Sequence, residues 1–202
     1  MRVHKIKRSY RKTKYILYKE TLVDFQEHFW AFLGSFIGIG IIAYLQSQTL
    51  PNQDVVYLIG SFGASSVLIY GVVQSPLAQP RNLVGGHLVS AIIGVTVQQL
   101  LPDILWITAP LAVSLSIVLM QITKTLHPPG GATALIAVTG STEIKNLGYW
   151  YALSPVLSGV LILLAVALIF NNIPHNRHYP NHKKYHQFRK RITSLLQTKP
   201  NQ

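Results

Sequence analysis

Long apolar segments that are nearly free of charge fill the middle of this chain and restrict it to few kinds of fold. Charged residues make up 12% of the sequence, against about a quarter in soluble globular domains. Hydrophobic residues make up 49%, which is too much apolar surface for a disordered chain. Segments of roughly 20 apolar residues are long enough to cross a bilayer as helices. The sequence therefore predicts an all-α polytopic membrane protein.

The basic residues are concentrated at the two ends of the chain. Eight lie within residues 2–19 and seven within residues 177–199, while Arg81, Lys124 and Lys145 lie between these ends. Lys and Arg beside apolar spans mark the cytoplasmic side of a membrane. We therefore expect both termini on the cytoplasmic side. The expected location is a bacterial plasma membrane. This distribution favours the lipid bilayer over nucleic acid as the partner of the positive charge.

The charge pattern divides the chain into three parts. Residues 1–27 form a basic cytoplasmic segment, which is either a solvated leader or, around residues 14–28, a short interfacial helix. Residues 28–171 form the transmembrane domain, and residues 172–202 form a basic cytoplasmic tail. The tail contains four histidines, but a proline breaks any helix that would align them. A solvated tail is therefore favoured over a metal site, and no metal or cofactor is expected.

Five apolar runs are clear candidates for crossings: residues 29–45, 55–73, 83–101, 104–122 and 149–170. Five crossings would place the two basic ends on opposite sides of the membrane, which the charge rule disfavours. Counting residues 126–140 as a sixth, broken crossing puts Arg81 and Lys124 inside and Lys145 outside. The sequence therefore favours about six crossings.

An internal repeat would relate crossings one to three to crossings four to six. Gly63-Ala64-Ser65 aligns with Gly131-Ala132-Thr133, and the same shift pairs Ser90 with Ser158. Each half has an odd number of crossings, so the second half would be inverted relative to the first. The identities are few, and a chance similarity of apolar segments stays open.

In such a repeat, crossings two and five are predicted to be broken helices, with the breaks at residues 60–63 and 128–131. Helical segments starting near Ala64 and Ala132 would point their positive ends at one spot inside the membrane. Helix N-termini with nearby hydroxyls bind small anions. The predicted site comprises Ser61, Gly63, Ala64, Ser65, His87, His127, Gly130, Gly131, Ala132 and Thr133, and Arg81 and Lys124 would attract the anion to it.

Each part of this predicted site has a structural alternative. A Pro-Pro pair followed by two glycines also starts a helix that binds nothing. His127 either contacts an anion or caps a carbonyl group, and His87 either faces a cavity or bonds a neighbouring helix. A topology signal or a lipid contact is the favoured alternative for Lys124 and a weaker one for Arg81, which lies in one of the ordered blocks given below. Gly34 and Gly38 have the spacing of a close helix contact.

Four ordered blocks run through the apolar region: Gly60-Ser61-Phe62-Gly63-Ala64-Ser65, Ser75-Pro76-Leu77-Ala78-Gln79-Pro80-Arg81-Asn82, Gly85-Gly86-His87 and His127-Pro128-Pro129-Gly130-Gly131-Ala132-Thr133-Ala134. Together they resemble the signature of the HPP family of integral membrane proteins, over about residues 28–171. Members of that family in cyanobacteria and chloroplast envelopes are associated with nitrite transport, which the resemblance implies here. The family is usually described with fewer spans than six.

The leading hypothesis is a transporter or channel for a small inorganic anion, nitrite by resemblance, acting as a monomer or a homo-oligomer. One alternative is a membrane scaffold that acts through its basic tails. Another is an intramembrane enzyme that uses His87 or His127 as acid or base. The enzyme is disfavoured because all six acidic residues fall outside the predicted spans and no Gly-x-Ser-x-Gly motif occurs.

Overall fold

The computed structural model describes residues 25–49 and 59–181, and the regular structure in these residues is helical. The helices are α1 Phe25–Thr49, α2 Gly60–Ser66, α3 Pro80–Leu100, α4 Leu105–Ile122, α5 Pro128–Thr139, α6 Thr142–Asn146 and α7 Ser158–Phe170. A π-helical turn, Val67–Gly71, extends α2, and another, Ala152–Leu157, leads into α7. The predicted all-α polytopic architecture is confirmed.

Within the described residues, four helical segments are long and apolar enough to cross a membrane: Phe25–Gln48, Pro80–Leu100, Leu105–Ile122 and Ala152–Phe170. The two remaining predicted crossings correspond to shorter helices. α5 has 12 residues, or about 18 Å at 1.5 Å per residue, against about 30 Å of hydrocarbon. α2 with its π turn matches that length. Six complete crossings therefore stay a prediction.

With each π turn counted as part of its helix and the five-residue α6 left aside, the order of the helices is long, short, long, and this order occurs twice. α1, α2 and α3 make the first set, and α4, α5 and α7 make the second. α1 packs against α7, α3 packs against α4, and the short helices α2 and α5 contact each other. The first helix of each set therefore packs on the third helix of the other set, with the short helices between them.

Both short helices begin four residues earlier than predicted. Ile59 (φ −78°, ψ 142°) and His127 (φ −140°, ψ 106°) are extended, and helix starts directly after each. The predicted starts near Ala64 and Ala132 are therefore wrong. In α5 the reason is that Pro128 and its neighbour occupy the first two helical positions, where proline presets φ and a missing N–H costs nothing. The predicted breaks at residues 60–63 and 128–131 are wrong as well, because both stretches are helical and form the first turns of α2 and α5.

The two ends of the described chain meet at one end of the bundle. Arg177, which is 3% exposed, pairs with Glu27 at the start of α1 at 2.6 Å. Its guanidinium also donates to the carbonyl of Tyr70 and to Asn171 Oδ1, both at 3.3 Å. A second ion pair lies just after the last residue of α3, where Lys145 pairs with Asp103 at 3.0 Å.

The segment that follows α7 packs on the bundle. The Tyr179 hydroxyl donates to the carbonyl of Ala78 at 2.7 Å, and the Asn181 N–H donates to Gln79 Oε1 at 2.7 Å. Burial raises the pKa of the Tyr179 phenol above its ordinary value, so the group keeps the proton that it donates. Residues 172–181, the first ten residues of the predicted tail, therefore belong to the folded domain. The predicted segments at residues 1–24 and 182–202 lie outside the described residues.

Glycines allow α3 to lie against α5 and the turn before it. A Cβ atom on Gly86 would lie 2.5 Å from His127 Cβ and 2.8 Å from the carbonyl oxygen of Thr125. A Cβ atom on Gly94 would lie 2.6 Å from the carbonyl oxygen of Ala134. Side chains at these positions would force the two helices apart.

The glycine pair of α1 also makes a close contact. A Cβ atom on Gly34 would lie 2.7 Å from Tyr70 Cδ1, and one on Gly38 would lie 2.5 Å from the Tyr70 hydroxyl. That hydroxyl donates to the carbonyl of Leu163 at 3.0 Å. The pair therefore receives an aromatic ring of the same chain.

Candidate functional site

Four polar side chains meet inside the bundle where α2, α3 and the start of α5 come together, and we call them the central cluster: Ser65, His87, His127 and Thr133. Ser65 Oγ lies 2.7 Å from His87 Nε2 and 2.9 Å from His127 Nε2. His87 Nδ1 lies 2.7 Å from Thr133 Oγ1. All four residues are 0% exposed. A fully buried set of polar side chains thus links three helices.

Local sequence explains how the two rings reach Ser65. The proline after His127 favours extended geometry at that residue, which lies directly before the first residue of α5. Gly85 and Gly86 let residues 125–127 lie directly against α3, next to His87. The other ring nitrogen of His127, Nδ1, lies 2.8 Å from the carbonyl oxygen of Leu77. The two glycine-bearing blocks therefore bring the histidines together, with ring centroids 5.0 Å apart.

The hydrogen-bond partners define the tautomers of the two neutral rings. The carbonyl of Leu77 can only accept, so His127 Nδ1 carries a hydrogen and His127 Nε2 accepts from the Ser65 hydroxyl. Ser65 has one hydrogen to donate, so it accepts from His87 Nε2–H. His87 Nδ1 then accepts from the Thr133 hydroxyl. Every bond therefore points the same way, from Thr133 to Leu77.

The surroundings of the cluster are mostly apolar. The Phe62 ring lies edge-on to His87 at a centroid distance of 5.9 Å. The Tyr151 hydroxyl donates to the carbonyl of Thr133 at 3.1 Å. A Cβ atom on Gly130 would lie 2.8 Å from Ser90 Oγ, so the first turn of α5 lies close against α3. Within the described residues, the hydrogen-bond partners of the cluster include no acidic side chain.

The other predicted binding residues divide into two groups. Ser61 is 0% exposed and lies one turn before Ser65 in α2. Its hydroxyl has no hydrogen-bond partner among the described residues. Gly63 and Ala64 are exposed, and Gly131 and Ala132 are half-buried. The structure therefore brings Ser61 and Gly130 near the cluster residues and places the other four towards the outside of the bundle.

Two grooves contain the outward-facing glycines. Gly63 lines a groove of about 590 Å³ between α1 and α2, together with Phe32 and Tyr70. Gly131 lines a groove of about 550 Å³ between α4 and α5, together with Val113. Both grooves are lined mainly by apolar side chains, which suits contact with lipid.

The predicted access residues lie outside the central cluster. Arg81 is exposed and donates from Nη2 to the carbonyl of Thr123 at 2.8 Å, which ties the start of α3 to the turn after α4. Lys124 in that turn is exposed and has a left-handed backbone, with φ at 56°. These two cations lie at the end of α3 remote from Asp103.

Sequence reasoning missed two groups that complete the site. One is the backbone carbonyl of Leu77. Leu77 lies in the block from Ser75 to Asn82, but its apolar side chain does not mark the residue as a hydrogen-bond acceptor. The other is the hydroxyl of Tyr151, which reaches Thr133 from the turn before α7. Both contacts join residues far apart in the chain, and no local pattern marks them.

The unpartnered Ser61 hydroxyl leads to a prediction about stability. A buried hydroxyl without a partner costs about 1–3 kcal/mol. Ser61→Ala should therefore leave the unfolding temperature unchanged or raise it, whereas Ser65→Ala, which removes a hydroxyl with two partners, should lower it. Thermal unfolding of the purified protein in detergent checks this, and a clear loss of stability in Ser61→Ala would contradict it.

Comparison with known proteins agrees with a membrane-embedded helical domain. The model of the family described as "HPP, transmembrane region" matches residues 20–180. Two transmembrane proteins of Dictyostelium discoideum are 47% and 48% identical to this chain over 160 residues, which is 78% of the chain. The chain spans about half the length of these curated relatives, 56% of one and 51% of the other.

No solved structure matches the chain. The names of the two relatives state that they are transmembrane proteins and give no substrate. Within the described residues, no group of three or more His, Cys, Asp or Glu side chains is arranged to hold a metal ion. The family match covers most of the chain and includes all four residues of the central cluster. This chain is therefore an integral membrane protein that belongs to the HPP family.

Proposed function

We propose that this protein carries a small inorganic anion across the membrane, with nitrite as the first candidate. The observation that supports the proposal is the central cluster: four polar side chains, bonded in series and at 0% exposure, inside an apolar bundle. Polar and ionisable groups inside a membrane domain are costly, and they typically mark the route of a substrate or ion. Nitrite is proposed because of the family resemblance.

The chemistry of the cluster suits a weakly bound monovalent anion. Ser65 and Thr133 contribute hydroxyl groups, and His87 contributes a ring N–H. The free hydroxyl of Ser61 adds a donor one turn away on α2. Such partial charges bind an anion weakly enough for it to leave the site, whereas a buried lysine or arginine would bind it too tightly for turnover. The bound anion would accept the hydrogen bonds that these groups now make with one another.

Transport requires that the buried cluster opens. The proposed motion separates the two sets of helices, α1–α3 and α4–α7, which would expose the cluster to each side in turn. The predicted inverted repeat supports this motion, because the repeat-related pair Ser65 and Thr133 bond the two nitrogens of one ring, His87. In such a repeat, the packing of α1 on α7 would correspond to the packing of α4 on α3.

The proposed orientation places both termini in the cytoplasm, and a bacterial plasma membrane stays the expected location. The Glu27–Arg177 pair brings both described ends of the chain to one end of the bundle. Arg81 and the turn at Lys124 lie at the start of α3, whereas Asp103 follows its end. The positive-inside rule then assigns the Arg81 end to the cytoplasm. The bilayer is the expected partner, and a homo-oligomer stays a prediction.

Removing one hydroxyl from the cluster tests the proposal. Thr133→Val keeps the shape of the side chain but removes the hydrogen bond to His87 Nδ1. In the proposed site the anion also loses the Thr133 donor, which would weaken its binding by about 1–3 kcal/mol, so anion flux should fall about tenfold or more. The measurement is uptake of nitrite, nitrate, formate and chloride by sealed vesicles that contain the purified protein.

Thr139→Val is the matched control for this experiment. Thr139 lies in the same helix, is exposed, and donates its hydroxyl to the carbonyl of Leu135 in that helix. This variant should transport at the wild-type rate. Equal flux in wild type and Thr133→Val would remove the cluster from the transport route. If none of the four anions enters vesicles that contain the folded wild type, anion transport is wrong and a scaffold or an enzyme becomes the better hypothesis.

A further inference from the structure

We propose that the central cluster carries one proton with each anion, so that transport is coupled one to one and is electrically neutral. This inference rests on the transport function proposed above. It comes from the order of donors and acceptors inside the cluster. That order forms a continuous chain of hydrogen bonds through the core of the bundle.

The chain consists of four short hydrogen bonds that all donate in one direction. Thr133 donates to His87 over 2.7 Å, and His87 donates to Ser65 over 2.7 Å. Ser65 donates to His127 over 2.9 Å, and His127 donates to the carbonyl of Leu77 over 2.8 Å. His87, Ser65 and His127 each donate one bond and accept another, which is the requirement for passing a proton along the series. Thr133 starts the series as a donor, and its hydroxyl also lies 3.4 Å from the carbonyl oxygen of Pro129.

The cluster has room for one additional proton. If both rings were cationic, both would donate to Ser65 Oγ, and the Ser65 hydrogen would lose its acceptor. Two positive charges would also stand on rings 5.0 Å apart in an apolar core, where like charges repel strongly. One extra proton supplies one positive charge, which balances one monovalent anion.

The groups that face the two rings leave this charge uncompensated until an anion arrives. α2 contributes Ser65 and Phe62, and α5 contributes Thr133. The turn before α7 contributes Tyr151, whose phenol is bonded to a backbone carbonyl. The nearest described cation on α3, Arg81, is bonded at the end of the bundle. Within the described residues, no carboxylate is among the hydrogen-bond partners of either ring.

The proton balance of one transfer can be written bond by bond for the closed cluster, before the anion accepts any of its hydrogen bonds. The conjugate acid of the anion gives a proton to the Thr133 hydroxyl, which passes its own hydrogen to His87 Nδ1. The His87 Nε2 hydrogen then moves to Ser65, and the Ser65 hydrogen moves to His127 Nε2. His127 finally releases its Nδ1 hydrogen to water at the Leu77 end once the ring leaves that carbonyl. One proton enters and one leaves, and no redox partner is needed.

The reversed chain explains why the ring must move. After transfer, the lone pair of His127 Nδ1 would face the lone pairs of the Leu77 carbonyl. Two acceptors in contact repel, so the closed cluster is stable with one polarity of the chain. Reorientation of His127 during opening would restore that polarity. Proton release is thereby tied to the conformational change that moves the anion.

The test uses full-length protein in sealed vesicles with nitrite as the probe and an entrapped fluorescent pH indicator. Potassium and valinomycin set the voltage, and protein-free vesicles give the passive entry of nitrous acid. We expect protein-dependent nitrite uptake to rise with external acidity and to carry in one proton per nitrite. Voltage should not change the uptake. For an uncoupled anion, about 60 mV would change the accumulation ratio about tenfold.

His127→Gln is the informative variant. A glutamine amide can donate to the Leu77 carbonyl and accept from Ser65, but it cannot pass a proton between these groups. The number of protons carried per nitrite should fall at least about tenfold, because His87 alone cannot pass a proton from Ser65 to the Leu77 end. Ser35→Ala removes an exposed hydroxyl that bonds its own helix in α1, and it should keep the wild-type ratio. If His127→Gln does not fold, Ser65→Ala takes its place.

The possible outcomes separate this inference from the proposed function. Nitrite flux that responds to voltage but not to the pH gradient would overturn proton coupling and leave anion transport standing. A wild-type proton ratio in His127→Gln would overturn the relay. No flux of nitrite, nitrate, formate or chloride from the folded protein would overturn the transport function itself.

Discussion

Gly86→Leu is expected to destabilise the protein by about 3 kcal/mol or more, because α3 can no longer lie against the turn before α5. A Cβ atom at this position would lie 2.5 Å from His127 Cβ and 2.8 Å from the carbonyl oxygen of Thr125. Neither neighbouring group can move aside without a large cost in free energy. The carbonyl belongs to the backbone, and the His127 ring is bonded at both nitrogens, to Leu77 and Ser65.

Gly40→Leu is the matched control, since Gly40 lies inside α1 and a Cβ atom there would meet nothing within 4 Å. Thermal unfolding of both variants in detergent, followed by size-exclusion chromatography, gives the comparison. We expect Gly40→Leu to unfold near the wild-type temperature and Gly86→Leu to be lost or strongly shifted. Similar stability of the two variants would show that α3 does not contact the turn at His127.

Arg177→Met is expected to cost about 3–5 kcal/mol, since it breaks a buried ion pair and leaves its partners without a donor. Arg177 is 3% exposed and donates to the carboxylate and the carbonyl of Glu27, to the carbonyl of Tyr70 and to Asn171 Oδ1. These contacts join the start of α1, the turn after α2 and the end of α7. Arg177→Lys should restore little stability, because an ammonium group cannot make the same fork of bonds.

Lys145→Met provides the comparison with an exposed ion pair. The Lys145–Asp103 pair has a similar geometry at 3.0 Å, but its side chains are 24% and 76% exposed. Exposed pairs contribute about 0–1 kcal/mol and are screened by salt. Unfolding temperatures of the two methionine variants, at low and high salt, should therefore differ by several degrees. Equal losses in both variants would contradict a buried role for Arg177.

Several features of the fold could be predicted because they depend on neighbouring residues. The apolar runs at residues 83–101 and 104–122 correspond closely to α3 and α4. Proline and glycine act on adjacent backbone bonds and mark the places where α2 and α5 begin, although the predicted breaks at residues 60–63 and 128–131 are helical turns. The error in the starts near Ala64 and Ala132 came from treating first-turn residues as part of the break.

Predicting the role of individual site residues from the sequence was harder. Ser65 and Gly63 belong to one motif, yet Ser65 is buried against two histidines and Gly63 lies in an outer groove. The same division separates Thr133 from Gly131. Which side of a short helix faces the core depends on the neighbours that pack around it. Motif membership alone does not contain that information.

The amino-acid sequence by itself determined that this chain is helical and membrane-embedded, with basic ends, because hydrophobicity and charge are local properties. The tertiary structure alone decided that Ser65, His87, His127 and Thr133 form one directed set of hydrogen bonds. It also decided that Arg177, which the sequence places in a solvated tail, is buried. These outcomes depend on contacts between residues distant in the chain, where the acceptor can be a backbone carbonyl such as that of Leu77.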